Sequence, residues 1–270
     1  MEKMRKERNK EDETRPLFGL QSMGGLLLSW YDRRRRILPW REDPQPYHVW
    51  LSEIMLQKTR EEAVKEYYSR FLRELPTIRD LAAAPEDKLL KLWEGLGYYN
   101  RVRNLQKAAR ACVEQYDGQL PGDFEELKRL PGVGEYTAGA IGSIAFGLPE
   151  PAVDGNVLRV VTRVTGDPSD ISQAATKKAV RATLAEVMPL GAPGDFNQAL
   201  MELGALVCLP NGAPDCAHCP ARGFCAAHLE GKTDVIPVKG AKKPRKMEER
   251  MVYLLFYGGQ VALRRRPCIF

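Results

Sequence analysis

The sequence predicts an all-α fold that is followed by a short β-hairpin. Between residues 24 and 227, apolar residues recur with helical spacing and are separated by short turns that contain glycine and proline. Of the 270 residues, 44% are hydrophobic, which is enough to form the cores of two modest domains. Near the end of the chain, two strand-like runs flank Gly258 and Gly259, and a two-residue glycine loop is a strong hairpin signal.

The N-terminal stretch is a charged tail. Its first residues, MEKMRKERNKEDETRP, mix both charges without an apolar segment, so residues 1–22 are predicted to be disordered and not to form a signal peptide. The longest apolar runs, which start at Met23 and Met251, are too short to cross a bilayer. We therefore expect a cytoplasmic protein with no membrane segment.

Capping residues predict where helices begin. Thr59 followed by Glu62 fits a capping box, which opens a helix that ends at Pro76. Gln57 and Lys58 then lie at a corner between this helix and the preceding one.

The other helices follow from apolar spacing and from the turn residues between them. Asp123 and Glu126 repeat the capping pattern at the start of one of these segments. The predicted helices cover residues 85–94, 100–116, 123–130, 135–146, 155–164, 172–188 and 196–207.

The corner LPGVGEYTAGAIG, which starts at Leu130, has two interpretations. Gly132 and Gly134 let the backbone pass close to another molecule, and the amides that open the next helix attract an anion such as phosphate. A tight corner also needs glycine for steric reasons alone. The formal net charge of +6 favours a polyanionic partner.

Four of the six cysteines are clustered with the spacing Cys-x7-Cys-x2-Cys-x5-Cys, namely Cys208, Cys216, Cys219 and Cys225. In a cytoplasmic protein such clustering indicates metal binding rather than disulfides. One Cys-x2-Cys pair between single cysteines fits a [4Fe-4S] cluster better than a zinc ribbon, which has two separated pairs. His218 lies inside the motif, but four thiolates already complete a ligand set.

Two carboxylates lie in contrasting surroundings. Glu53, in VWLSEIMLQ, has apolar neighbours that would keep its carboxyl protonated, as a general acid requires. Asp154, in AVDGNVLRVV, precedes a helix whose N-terminal amides would keep it ionised, which suits a partner for a cationic intermediate. The alternatives are that Glu53 is a surface residue of an amphipathic helix and that Asp154 is only an N-cap.

Taken together, these residues resemble the helix-hairpin-helix DNA glycosylases with an iron–sulfur loop, the endonuclease III superfamily, and most specifically the MutY-type adenine DNA glycosylases. The resemblance extends from Leu26 to Ala227. Its motifs are, in order, LPWR, PYHVWLSEIMLQ, WEGLGYYNRVRNL, LPGVGEYTAGAI, VDGNVLRV, FNQALMELGALVC and the cysteine loop.

The resemblance implies a two-lobed helical fold. One lobe, residues 41–140, would be a six-helix barrel with the helix-hairpin-helix, and residues 23–40 and 141–230 would form the iron–sulfur domain. Residues 231–250 would be a basic linker. Residues 251–270 would be the truncated start of the family's Nudix-like domain, which helps to recognise 8-oxoguanine, so we expect weakened discrimination for the oxidised base.

The resemblance also implies that a monomer, associated with the nucleoid, removes adenine mispaired with guanine or 8-oxoguanine in double-stranded DNA. Glu53 matches the general acid that protonates adenine at N7. Asp154 matches the carboxylate that stabilises the oxocarbenium-like sugar through a transient covalent adduct. Tyr136 and Asn156 match residues that orient this chemistry.

Extracting a base from a duplex requires a wedge and a pocket. Tyr98 matches the family's aromatic wedge, and Trp40, Arg41 and Leu56 match pocket residues. The other positions implied in DNA or base contact are Gln57, Lys58, Thr59, Leu96, Gly132, Val133 and Gly134. Lys58 replaces the family's usual Gln at the corner that touches the unpaired guanine or 8-oxoguanine, and we expect its amine to reach a phosphate or a base carbonyl.

Tyr136 distinguishes this chain from the relatives that also cleave DNA. Those lyases carry at this position a lysine that forms a Schiff base, and they read VDTH where this chain reads VDGN. The pattern therefore predicts a monofunctional glycosylase. Two alternatives stay open: an endonuclease III-like lyase that acts on damaged pyrimidines, and a catalytically idle iron–sulfur fragment that only binds DNA.

DNA affinity is expected to depend on phosphate contacts and therefore on salt. The glycine corner, Arg101, Arg103 and Lys58 are the predicted sources of these contacts. The run Arg33 to Arg36 is interpreted as a solvated face.

Overall fold

A computed structural model describes residues 19–240, 247–249, 251 and 253–262. Residues 19–240 belong to one compact unit, and the hairpin near the end of the chain belongs to a second unit. Within the described residues, no helix combines the length and the apolarity that spanning a membrane requires.

The described elements are helices except for one pair of strands. A single 3₁₀ turn, Cys216–His218, lies between the last two helices. In chain order they are α1 (residues 19–34), α2 (Pro39–Glu42), α3 (Pro46–Leu56), α4 (Glu61–Glu74), α5 (Ile78–Ala83), α6 (Glu86–Leu92), α7 (Asn100–Gln115), α8 (Phe124–Arg129), α9 (Glu135–Phe146), α10 (Gly155–Thr165), α11 (Ala174–Val187), α12 (Pro193–Leu206), α13 (Ala226–Leu229), β1 (Phe256–Tyr257) and β2 (Gln260–Val261).

The predicted all-α fold with a terminal hairpin is confirmed. The two strands pair antiparallel, with Phe256 opposite Val261. Gly258 and Gly259 both have positive φ, 57° and 77°, so the two-residue loop is of the type that matches strand twist. That the hairpin begins a Nudix-like domain stays a prediction.

The first unit contains two hydrophobic cores. Helices α2 to α9 surround the first, whose largest fully buried side chains include Trp50, Phe71 and Trp93. Helix α1 packs with α10 to α13 around the second, which contains Tyr31 and Phe196. The chain thus leaves the second core after α1, builds the first, and returns at α10. The domain boundaries inferred from the resemblance stay a prediction.

Two expectations about helix starts require correction. Residues 19–22 lie in α1, where Leu20 is fully buried, so the charged tail does not extend to residue 22; residues 1–18 lie outside the described part. The Thr59–Glu62 capping box is not formed, because the chain turns at Lys58 and α4 begins after Arg60, which makes no side-chain cap. The capping box that does form opens α5, at Thr77 and Asp80.

The other predicted helices are observed, and their ends differ from the prediction by no more than three residues. The predicted cap at Asp123 is confirmed, since its side chain accepts a hydrogen bond from the Glu126 amide at 2.9 Å. Helices α1, α2, α5 and α13 were not individually predicted, and the last three, of four to six residues, are too short to show a helical period.

Candidate active site

A cavity of about 840 Å³ lies where α3 and α9 of the first core meet α10 and α12 of the second. Eleven of the predicted site residues line it, together with others that were not predicted. The lining predicted residues are Trp40, Arg41, Glu53, Leu56, Tyr98, Tyr136, Asp154 and Asn156, and Gln57, Lys58 and Thr59 complete the rim. Side chains that are far apart in the sequence, such as Glu53 and Asp154, therefore contribute to one site.

Glu53 is buried on α3, with only 7% of its surface exposed. Its Oε2 accepts a hydrogen bond of 2.7 Å from the Tyr136 hydroxyl. The pKa of the Glu53 carboxyl is raised to about 7, mainly because the group is buried. The hydrogen bond from Tyr136 lowers this pKa, and the charge of Asp154 raises it. The expected apolar environment is confirmed, and the alternative that Glu53 is a surface residue is wrong.

Asp154 caps the N-terminus of α10. Its Oδ1 accepts from the Val157 amide at 2.7 Å, and its Oδ2 accepts from Nδ2 of Asn156 at 2.9 Å. Burial nevertheless raises the pKa of Asp154, although these hydrogen bonds lower it. The helix position alone therefore gives the wrong direction for the pKa shift, because desolvation inside the cavity outweighs the helix terminus.

Tyr136 lies in the first turn of α9 and faces both carboxylates. Burial and the charges of Glu53 and Asp154 raise the pKa of its hydroxyl well above the ordinary value. The hydroxyl therefore stays protonated and acts as a hydrogen-bond donor to Glu53. Among the described residues that line the cavity, Lys58 is the one lysine.

Asn156 is held in place by a buried arginine that sequence reasoning missed. Its Oδ1 accepts from Nη2 of Arg159 at 2.8 Å, and Arg159 also donates to the carbonyls of Gly204 and Cys208. A Cβ on Gly204 would lie 2.6 Å from that of Asn156, so the close approach of α10 and α12 requires glycine there. The Arg159 side chain thus connects Asp154, through Asn156, to the backbone carbonyl of Cys208 at the start of the cysteine loop.

A network of four charges on the cavity wall was also missed. Glu202, with a side chain 1% exposed, binds Arg36 at 2.7 Å and Arg41 at 2.9 Å, and Arg36 also pairs with Glu61. Burial acts to raise the pKa of Glu202, but the hydrogen bonds from both arginines hold it at about 2. The interpretation of Arg36 as part of a solvated face is wrong. Glu202 is the lone carboxylate within the apolar run QALMELGAL. A lone carboxylate in an apolar run is the same signal that identified Glu53.

Several predicted DNA contacts are directed into the protein. Leu96 and Val133 are each 6% exposed, and both side chains pack in the first core. Arg101 donates to backbone carbonyls that include those of Ile54 and Leu96. Arg103 binds Glu86 at 2.8 Å. Arg101 is therefore directed inward and is not free to bind a phosphate as predicted, whereas a phosphate contact of Arg103 stays a prediction.

The glycine corner is exposed. Gly132 has φ 79°, and a Cβ there would lie 2.9 Å from that of Asn104. Gly134 is the N-cap of α9, has extended backbone, and has no atom within 4 Å of the position of a Cβ. Gly132 is therefore required by the turn itself, whereas nothing within the fold requires glycine at Gly134.

The four clustered cysteines line a common small cavity between α10, the end of α12 and α13. Nη1 of Arg163 lies 3.3 Å from Sγ of Cys208, and Sγ of Cys225 lies 3.3 Å from the Arg163 carbonyl oxygen. His218 binds Asp215 and is largely exposed, in keeping with a residue that is not a ligand. Cys112 is buried in the first core, and Cys268 lies outside the described part.

The donor set fits an iron–sulfur cluster. A cubane cluster takes four thiolates, each of which binds a different iron. Four cysteines around a shared cavity, with a buried arginine beside them to offset negative charge, meet that requirement.

Residues 51–189 match a family model described as HhH-GPD superfamily base excision DNA repair protein. The curated relatives include adenine DNA glycosylases. That of Rattus norvegicus is 45% identical over 223 residues, which cover 78% of this chain and 43% of the relative. That of Buchnera aphidicola subsp. Baizongia pistaciae is 39% identical over 218 residues, covering 80% and 61%. The chain thus spans about two fifths to three fifths of the length of these relatives.

Solved structures of DNA glycosylases share the fold. A thermostable thymine-DNA glycosylase superposes with a TM-score of 0.71 at 28% identity, covering 78% of this chain and 97% of that one. Endonuclease III, in a trapped covalent intermediate with DNA, superposes with a TM-score of 0.64 at 26% identity, covering 79% and 95%. The predicted helical DNA glycosylase fold is therefore confirmed.

Proposed function

Because the chain belongs to the HhH-GPD superfamily of base excision DNA repair proteins, we propose that it is a monofunctional DNA glycosylase that removes adenine opposite guanine or 8-oxoguanine in double-stranded DNA. The observation that carries the proposal is the buried carboxyl of Glu53, which is hydrogen-bonded to Tyr136 and shares one cavity with Asp154. The choice of adenine is supported by the similarity to adenine DNA glycosylases.

Glu53 acts as the general acid. A group with a pKa of about 7 is present in both protonation states near neutral pH, which suits an acid that must donate and later accept a proton. Its proton goes to N7 of the flipped adenine, so the base leaves the sugar in neutral form. The 840 Å³ cavity around Glu53 has room for a purine.

Asp154 acts on the sugar. As the bond from N9 to C1′ breaks, the Asp154 carboxylate stabilises the cationic sugar and forms a bond to C1′. Water then replaces the carboxylate, and the ionised Glu53 accepts the proton of that water. The hydrogen bonds from Asn156 and from the Val157 amide orient the attacking oxygen.

The reaction stops at the abasic site. A lyase needs a neutral amine that forms a Schiff base with the sugar, whereas Tyr136 presents a protonated hydroxyl beside Glu53. Lys58 lines the same cavity on an exposed turn. In this proposal its side chain contacts DNA and forms no Schiff base with the sugar.

The exposed N-terminus of α9 binds a DNA phosphate. The first amides of a helix have no partner within the helix, and they attract anions. Gly134 leaves open space in front of those amides, although the fold itself would accept a side chain there. A glycine that the fold does not require is explained if the DNA backbone approaches at this point.

Lys58 contacts the purine opposite the extruded adenine. Its ammonium group donates hydrogen bonds but accepts none. Guanine offers O6 and N7 as adjacent acceptors, whereas N7 of 8-oxoguanine carries a proton and is itself a donor. Lys58 therefore favours guanine relative to the Gln that is usual in the family.

Cys208, Cys216, Cys219 and Cys225 hold a [4Fe-4S] cluster. When bound, the cluster links the four cysteines and so stabilises the loop between α12 and α13. Arg159 binds the carbonyl of Cys208 and the side chain of Asn156, so the position of this loop affects the position of Asp154.

The proposal is tested by single-turnover excision from duplexes that contain A:8-oxoguanine, A:G or A:T, with Glu53→Gln as the control. We expect excision from both mispairs, little from A:T, and a loss of at least about 100-fold in the variant. Equal rates for wild type and Glu53→Gln would reject the enzymatic function and favour a fragment that only binds DNA. The lyase alternative is tested by borohydride trapping on an abasic duplex, where efficient capture would reject a monofunctional enzyme.

A further inference from the structure

Two exposed turns on the rim of the cavity contain strained backbone. The first turn, residues 57–59, follows the helix that carries Glu53, and the second, residues 95–98, precedes α7. Lys58 has φ 63° and Tyr98 has φ 48°, and among the described residues Asp117 is the one other non-glycine with positive φ. Such conformations persist where the surroundings hold them in place, and they are frequent at functional sites.

Both turns are bound by the same guanidinium. Nη1 of Arg101 donates to the carbonyls of Ile54 at 2.9 Å and Met55 at 3.0 Å, and also to the carbonyl of Gln57. These contacts satisfy carbonyl groups at the end of α3, which have no partner within that helix. Arg101 thereby fixes the direction in which the first turn leaves α3.

The second nitrogen of the same group reaches the other turn. Nη2 of Arg101 donates to the carbonyls of Leu96 at 2.8 Å and Gly97 at 3.2 Å. It also donates to Oγ1 of Thr59 at 3.3 Å. A planar group with donors in a fixed fork can bind two chain segments at once, which a lysine ammonium cannot reproduce.

The aromatic rings on either side complete this arrangement. The guanidinium carbon of Arg101 lies 5.3 Å from the ring centre of Trp93, which is fully buried, and 5.8 Å from that of Tyr98, which is 69% exposed. Trp93 also donates through its indole nitrogen to the carbonyl of Gly97. Arg101 therefore connects an immobile core residue to the most exposed aromatic side chain on the rim.

We propose that Arg101 is a positioning residue that holds the two rim turns at a fixed separation, so that Lys58 and Tyr98 are ordered before DNA binds. This inference rests on the proposed function, in which Lys58 contacts the purine opposite the adenine, and on the wedge role that the family resemblance implies for Tyr98. A protein that orders its contact residues during folding does not lose that freedom during binding, so affinity and rate both increase. Arg101 needs no contact with DNA for this effect.

The test is a double-mutant cycle between Arg101→Lys and Tyr98→Ala, measured by single-turnover excision from an A:G duplex. We expect Arg101→Lys to lower the rate by at least about 10-fold when Tyr98 is present and by less than about 3-fold in the Tyr98→Ala background, because the arginine acts through that side chain. Losses that multiply independently would overturn the proposal. Arg110→Lys is the matched control, because Arg110 lies on the same helix and also donates to a backbone carbonyl, that of Ala82 at 3.1 Å.

Two further measurements separate positioning from other effects. In Arg101→Gln, which removes the charge, the salt dependence of DNA affinity keeps its slope if Arg101 only positions the turns, whereas loss of a phosphate contact reduces the slope by about 0.9. Amide hydrogen exchange without DNA is expected to become faster at residues 57–59 and 96–98 in Arg101→Lys and to be unchanged in Arg110→Lys. A reduced slope or unchanged exchange would overturn the proposal.

If Arg101→Lys does not fold, Thr59→Val takes its place, since it removes one acceptor of Arg101 with little change of shape. The expected loss is then about 2-fold and again smaller in the Tyr98→Ala background, and an equal loss in both backgrounds would reject the inference. Wild-type protein that excises no adenine would reject the proposed function, while the exchange measurement would still decide the role of Arg101.

Discussion

The hydroxyl of Tyr136 donates a 2.7 Å hydrogen bond to Oε2 of Glu53, from a position 83 residues further along the chain. The bond joins the first turn of α9 to the middle of α3, and these two helices pack against each other in the first core. It holds a carboxyl group in a defined orientation inside a desolvated cavity. The pKa of that carboxyl and the orientation of its proton are therefore coupled through one contact.

The first prediction concerns pH. The pKa of Glu53 is about 7, well above the ordinary value of a glutamate, so the protonated form that can act as an acid decreases as the pH rises through 7. We expect the excision rate at subsaturating enzyme to fall by nearly tenfold per pH unit at alkaline pH, with a midpoint near 7. Glu53→Gln lacks the titrating group, so its excision rate should not show this alkaline decrease. A flat wild-type profile between about pH 6 and 9 would contradict the assignment.

Tyr136→Phe should move that alkaline decrease to higher pH. The Tyr136 hydrogen bond lowers the pKa of Glu53, so its removal raises the pKa further. We expect a rate reduced by up to about 10-fold at low pH, because the proton is less well oriented, together with an alkaline midpoint shifted upward. Tyr116→Phe is a matched control, since Tyr116 also donates to a glutamate, Glu126, outside the cavity. A midpoint shifted downward would contradict the described contact.

Glu202→Gln should lower stability. The substitution leaves Arg36 and Arg41 without the buried carboxylate that compensates them, and breaking a buried pair in this way reduces the free energy of unfolding by roughly 3 kcal/mol. Urea denaturation at pH 7 measures the loss. Glu62→Gln, which removes an exposed pair with Lys65, should change the free energy of unfolding by less than about 1 kcal/mol.

The same variant has a distinct pH dependence. The pKa of Glu202 is lowered to about 2 in the folded protein, against 4.5 ordinarily, so its contribution to stability is present above pH 4.5 and decreases as the pH falls toward 2. The difference in unfolding free energy between wild type and Glu202→Gln should therefore shrink as the pH is lowered from about 5. A difference that stays constant down to the lowest pH at which both proteins fold would indicate that packing, and not charge, is the cause.

Lys58→Gln should change the choice of opposite base. Glutamine can accept a hydrogen bond from the N7 proton of 8-oxoguanine, which the lysine ammonium cannot do. We expect the ratio of excision rates, A:8-oxoguanine over A:G, to rise by about 2- to 10-fold, the value of one hydrogen bond. Lys65→Gln, on the exposed side of α4, is the control. An unchanged ratio would mean that Lys58 contacts the DNA backbone instead.

Part of the candidate site could be recognised from local patterns. Glu53 within an apolar run and Asp154 before a helix are indicated by their neighbours in the sequence, whereas Tyr136 follows from the family resemblance, and all three line the cavity. The cysteine spacing and the Gly258–Gly259 loop are equally local signals. Local signals are reliable where a few consecutive residues determine the chemistry.

Other features could not be derived from local patterns. Arg36 and Glu202 are 166 residues apart, so nothing near either one indicates their ion pair. Arg101 is a basic residue in a polar segment and was expected to face DNA, yet it binds carbonyl groups from two different turns. The direction of the pKa shift of Asp154 depended on how deeply the assembled cavity buries it.

The sequence by itself determined the helical fold class, the two candidate carboxylates Glu53 and Asp154, and the cysteine motif, because these depend on residue type and on spacing over a few turns. Tertiary structure decided which charges are buried, which arginines face inward, and how the rim turns are held. Those properties depend on desolvation and on contacts between distant segments, which exist only after α3, α9, α10 and α12 have packed together.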